Sequence, residues 1–112
     1  MPFMATDREK TVIEGLDLPQ YSGGVEEIAK ALSTAWTQLD ETKLRKYVAK
    51  IGNSAVAKRL GFLMETLGLG DVDKLRKAVV LASGFSPLDP TMPRNGKYNR
   101  RWGLLINTEI KG

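Results

Sequence analysis

The stretch Asn53–Gly70, NSAVAKRLGFLMETLGLG, decides how the chain folds. Val56, Leu60, Leu63 and Leu67 recur at steps of four, three and four, the apolar stripe of an α-helix. Ala57, Phe62 and Met64 widen that stripe well beyond one face, as in a helix packed on several sides. Gly61 falls in the middle, where glycine costs about 1 kcal/mol relative to alanine; a close approach by another element would explain it. Asn53 or Ser54 can cap the start, and Gly68 and Gly70 can end it. The polar remainder is narrow: Lys58, Arg59 and Glu65. A largely buried helix carrying two adjacent cations holds them in fixed positions.

Working outward, the preceding helix starts at Asp40 as its cap and turns Leu44, Tyr47, Val48 and Ile51 inward, with Lys43, Arg45, Lys46 and Lys50 outside. Gly52 ends it, so the two helices form a hairpin or corner. Upstream, Val25, Ile28, Ala29, Leu32, Ala35, Trp36 and Leu39 keep helical spacing, with Glu26 and Glu27 in the first turn where the helix dipole favours anions. The first helix opens on a capping box, Thr6 to Glu9, buries Val12, Ile13 and Leu16, and stops before Pro19. Downstream, Asp71 caps a fifth helix with Val72, Leu75, Ala78, Val79 and Ala82 inward, closed by Ser83-Gly84. Pro87, Pro90, Pro93 and Asn95-Gly96 then mark an extended loop from Phe85 to Arg101. Trp102–Asn107 reads as a half-buried strand. A lone strand needs a partner, and Met1–Ala5 is the only other candidate. The expected fold is therefore α+β and mostly helical: about five helices in one compact domain, 1–112, with a small β element made by the chain ends.

With 112 residues the chain suits one domain able to bury roughly 60–70% of its unfolded surface. It has no Cys and no His. That removes disulfides, thiol nucleophiles, histidine general bases and the usual zinc sites. No apolar run approaches the ~20 residues of a membrane span, and a cytoplasmic chain is expected. The net charge of +4 is unevenly spread. Residues 1–42 hold three Lys/Arg against eight Asp/Glu, and residues 43–112 hold fourteen against five. A basic C-terminal side suggests an anionic partner, nucleic acid or an acidic protein; an unevenly charged solvated surface is the plainer explanation.

Candidate chemistry is sparse. Glu9 and Glu14 fit a cap and a solvated face, and Asp71 and Asp73 lack calcium-loop spacing. Gly23-Gly24 before a helix could cradle a phosphate, but Glu26 and Glu27 would repel an anion there, so it reads as a turn. No nucleophile has an adjacent base, so no enzyme is expected, and neither a cofactor nor a metal; metal-dependent phosphoryl chemistry would need a carboxylate cluster. The basic clusters are richer. Lys58 and Arg59 lie on the central helix; Arg94, Lys97, Arg100 and Arg101 lie on the late loop with Tyr98 and Trp102 among them. Cations interleaved with aromatics can grip a phosphate backbone or stack a base; alternatively Trp102 is core and the cations only solubilise. Arg59 and Arg101 abut apolar residues, so either could turn inward and pair with Glu65 or Glu9.

Three segments resemble one family. The run Thr6–Ile13 with Leu16, Pro19, Tyr21 and Gly23-Gly24, the central Ala57–Glu65, and Asn99–Leu104 with Asn107 are similar in order and spacing to AbiEi-type antitoxins. These are the transcriptional regulators of abortive-infection, type IV toxin–antitoxin systems. The resemblance covers only their C-terminal domain and leaves out the N-terminal winged helix-turn-helix that reads the promoter. It implies a non-catalytic domain that neutralises a nucleotidyltransferase-like toxin and adds contacts to promoter DNA, with no small-molecule substrate. On that reading the partner-binding residues are Lys58, Arg59, Lys97, Arg100 and Arg101. The alternative is a stand-alone nucleic-acid binder of winged-helix type, with its wing at Lys97–Ile106.

Overall fold

The computed structural model describes residues 8–110, apart from the side chains of Tyr21 and Ser22. The fold is α+β and mostly helical. Five α-helices, α1 (Arg8–Asp17), α2 (Val25–Ala35), α3 (Glu41–Ile51), α4 (Ser54–Leu67) and α5 (Val72–Ala78), precede strands β1 (Ser86–Pro87), β2 (Lys97–Asn99) and β3 (Leu104–Ile106). Short 3₁₀ turns follow α1 and α2. The helix starts are where the capping residues put them. The Asp40, Asn53 and Asp71 side chains accept backbone N–H groups of α3, α4 and α5, and Gly52 and Gly68 end α3 and α4 in the left-handed conformation.

The core runs through all five helices. Ile13 and Leu16 of α1, Val25 and Leu32 of α2, Leu44 of α3, Val56, Leu60 and Leu63 of α4, and Leu75 of α5 are buried together with Leu88, Trp102 and Leu104. Trp102 makes the central join. Its ring lies on Gly61, where an added Cβ would come within 2.1–2.6 Å of the ring carbons. The glycine in the middle of α4 is thus the seat of the indole, and its propensity cost is the condition for that contact. Glu65, one turn further along α4, accepts the indole N–H at 3.1 Å.

Several expectations are corrected. The β element is not made by the chain ends. β1 pairs with β3 in parallel and β2 pairs with β3 antiparallel, order β1-β3-β2, so both edges of β3 are taken by residues 86–99; Met1–Ala5 lies outside the described residues. Helix α5 stops at Ala78, because the run after it uses the other period: Val79 and Leu81 pack on the core, Val80 and Ala82 point outward. That extended segment is pinned by the Ala82 N–H on Ser54 Oγ at 2.7 Å. Ile51 is exposed, not inward. The Thr6 half of the capping box lies outside the described residues, and the buried Glu9 carboxylate joins α1 to α3 instead, accepting the Asp40 N–H at 2.9 Å and facing Lys43 at 3.7 Å. Gly23-Gly24 is more than a turn. Gly24 has no side chain with which to cap α2, and Asp89 supplies the missing acceptor from the far loop, taking the Val25 N–H at 3.1 Å. An anion does occupy this helix start despite Glu26 and Glu27, whose side chains are exposed to water.

Gly61→Ala tests the seat of Trp102. Alanine gains about 1 kcal/mol in helix propensity, but forcing the ring aside costs about 1–3 kcal/mol in overpacking. We expect a lower melting temperature than the parent; an unchanged or raised one would place the indole elsewhere.

Candidate functional site

Helix α4 presents its polar residues to the segment that follows α5, and these contacts decide which cations are available to a partner. Arg59 is 4% exposed. Its guanidinium donates to the Leu16 carbonyl at 2.8 Å and to the Pro87 carbonyl at 3.1 and 3.2 Å. It therefore ties the end of α1 to β1. Its pairing is with backbone carbonyls, not with Glu65 or Glu9. Burial lowers its pKa, partly offset by the charges of Asp17 and Asp89. Lys58 is 2% exposed and donates to the Gly84 carbonyl at 3.1 Å; burial lowers its pKa as well. Neither residue projects from the surface, which corrects the expectation of Lys58 and Arg59 as outward partner contacts: Arg59 takes the inward alternative, and Lys58 lies under a groove. A cation beside apolar neighbours on a helix buried almost all round has no solvated face to occupy, and the carbonyls of 84 and 87 give it acceptors.

The remaining expected residues, Lys97, Arg100 and Arg101, are exposed on the antiparallel β2–β3 hairpin and its connection, and Arg94 is exposed just before it. Arg101 donates to Glu65 and its guanidinium stands 5.6 Å from the Trp102 ring centroid. Arg100 makes no hydrogen bond or ion pair with any described residue. The structure adds one cation that the sequence did not single out. Arg76 of α5 donates to the Arg101 carbonyl at 2.6 Å and lies 4.8 Å from the Trp102 centroid. Only its spacing of 26 from Trp102 would have been visible beforehand, and such a separation carries no signal.

Arg76, Arg100 and Arg101 line a groove of about 290 Å³ with Lys58, Phe85 and Gly103. None of the described residues lining it is acidic. Gly103 has φ +64°, and a Cβ there would come 3.1 Å from both the Lys58 Nζ and the Gly84 carbonyl oxygen, so the groove wall at this point is bare backbone over the ammonium. Phe85 and Tyr98 meet edge to face at 4.7 Å. Both are exposed. Asn107 holds the proline-rich approach in place: its side chain accepts the Asp89 N–H at 2.9 Å and donates to the carbonyls of Asp89 at 2.8 Å and Pro93 at 3.1 Å. Arrayed donors with no acidic residue among the described lining suit binding of an anion. Among the described residues no three Asp or Glu gather as a metal site, and no helix is long and apolar enough to cross a membrane.

Arg59→Ala leaves two buried carbonyls unmatched and opens a cavity, a loss of roughly 3–5 kcal/mol. Arg101→Ala breaks a half-exposed ion pair worth about 1 kcal/mol or less. Urea denaturation of the two variants should separate them by that margin, and equal losses would contradict the assignment of Arg59 to the interior.

No family model, no curated protein and no solved structure matches the chain.

Proposed function

We propose that the chain is a non-catalytic binding domain of a transcriptional-regulator antitoxin, which neutralises a nucleotidyltransferase-like toxin and assists promoter DNA binding. The observation that carries the DNA half is the concentration of exposed cations, Arg94, Lys97, Arg100 and Arg101, on and beside a hairpin that also exposes Tyr98. The resemblance of the three segments to AbiEi-type antitoxins supports the toxin half. Lys58 and Arg59 serve this surface from beneath: they fix the backbone of residues 84–87, on which the hairpin is laid. Contacts to about four phosphates predict a slope near −3.6 in log affinity against log salt for duplex DNA. A salt-independent affinity would remove the DNA half. Co-expression with a nucleotidyltransferase-like toxin encoded beside the gene tests the other half: growth should recover, and persistent toxicity with the chain soluble and folded would remove it.

The winged-helix reading gains from one specific observation. Residues 97–106 do form a two-stranded hairpin, and it is attached to α5, which carries Lys74, Arg76 and Lys77. If α5 is the DNA-contacting helix, the double variant Lys74→Glu, Lys77→Glu loses DNA binding at least tenfold. If the hairpin face alone binds, the larger loss follows Lys97→Glu with Arg100→Glu.

A further inference from the structure

The groove over Lys58 has properties that a general cationic surface does not need. An ammonium has three protons to donate, and that of Lys58 has one acceptor among the described residues, the Gly84 carbonyl. It is buried, and among the described residues no carboxylate lies in ion-pairing distance of it, an arrangement that is costly unless a counter-charge arrives. Arg76, Arg100 and Arg101 flank the same space. Arg76 and Arg101 are each fixed by a bond to the rest of the chain and by the Trp102 ring, and Arg100 is uncommitted. Planar guanidinium forks beside a point-charge ammonium match the oxygens of a phosphate. The volume of about 290 Å³ leaves room for a phosphate and its sugar. Phe85, which lines the groove, meets Tyr98 edge to face, and the two are 41% and 65% exposed. An exposed aromatic ring at the rim of a cationic groove is a platform on which a base can stack.

We propose that this groove is a nucleotide-binding pocket, which takes one phosphate over Lys58 between Arg76, Arg100 and Arg101 and stacks the attached base on Phe85, with Tyr98 bracing that ring from the side. The pocket stands on its own geometry and does not depend on duplex binding by the hairpin face. The nucleotide is a ligand and undergoes no reaction there. Its source is either a free 5′-mononucleotide or the 5′-phosphorylated end of a single strand, since both present the same phosphate, sugar and base.

Titration of the full 112-residue chain at about 150 mM salt tests this, with heat and the Trp102 indole N–H resonance as readouts. The probes are the four 5′-mononucleotides, their nucleosides, inorganic phosphate, and a hexathymidylate with and without its 5′-phosphate. A mononucleotide should bind at least tenfold tighter than its nucleoside and than inorganic phosphate, and should shift the indole signal. Arg100→Ala, which breaks no hydrogen bond or ion pair with a described residue, should weaken it at least fivefold. Lys58→Met, checked for folding by its melting curve, should weaken it at least tenfold. Phe85→Ala should cost tenfold for the mononucleotide and leave inorganic phosphate unchanged. A phosphorylated hexamer tenfold tighter than the mononucleotide assigns the pocket to a strand end, and equal affinities assign it to the free nucleotide; both support the proposal. Affinities that are the same for nucleotide and nucleoside, or untouched by Arg100→Ala, overturn it. Retained duplex binding alongside that failure would leave the hairpin surface standing without the pocket.

Discussion

The contact between Trp102 and Gly61 is the constraint from which the rest of the molecule follows. An indole pressed against a helix backbone needs a residue without a side chain beneath it, and α4 supplies one. Once the ring is seated, its N–H reaches Glu65, and Glu65 in turn draws in Arg101. On the other side of Gly61, Arg59 and Lys58 meet the carbonyls of Pro87 and Gly84. Four side-chain positions of one helix thereby locate a segment with little regular structure of its own. Strands of two and three residues are too short to persist alone; here the helix sets their position and β3 completes their hydrogen bonds.

Polar contacts do the positioning while apolar burial provides most of the stability. Leu60, Leu63 and Trp102 are wholly buried, and fully burying a large apolar side chain contributes about 1.5–3 kcal/mol. The guanidinium and ammonium of α4 contribute orientation instead. Each fixes backbone carbonyls that have no partner within a helix or sheet ladder at that point, in keeping with the need to satisfy every buried polar group. The division explains why the same helix could look, from its sequence, like both a core element and a cationic surface.

Most of the helical half was legible in the sequence, because caps and period agree there: Asp40, Asn53, Asp71, Gly52 and Gly68 mark ends that the spacing of Leu32, Leu44, Leu60 and Leu63 independently implies. Val79–Ala82 is ambiguous in the sequence, because a run of small and branched apolar residues fits a helix or an extended segment equally, and tertiary packing selects the latter. β1 and β2 carry no pattern at two and three residues. In the candidate site, the exposure of Lys97 and Arg100 followed from their polar, turn-rich surroundings, while Arg101, left open between core and surface, is exposed and paired with Glu65. The burial of Lys58 did not follow, nor did the partners of an inward Arg59, since their acceptors are backbone carbonyls whose location depends on the fold. Arg76 and the Asp89 cap were illegible for the same reason: both join partners far apart in sequence.

The Asp89 cap has a consequence for how the chain reaches its native state. The start of α2 waits for a carboxylate 64 residues away, and Arg59 waits for Pro87 while also holding Leu16. Early helices therefore depend on late loop residues for groups that local sequence would ordinarily provide. During synthesis the helical half emerges first, with its α2 start uncapped and the Arg59 guanidinium short of its Pro87 acceptor, and it gains both only when the proline-rich segment follows. The bundle and the sheet are thus tied to each other by the Val25–Asp89 bond and the two Arg59–Pro87 bonds, each of long sequence separation.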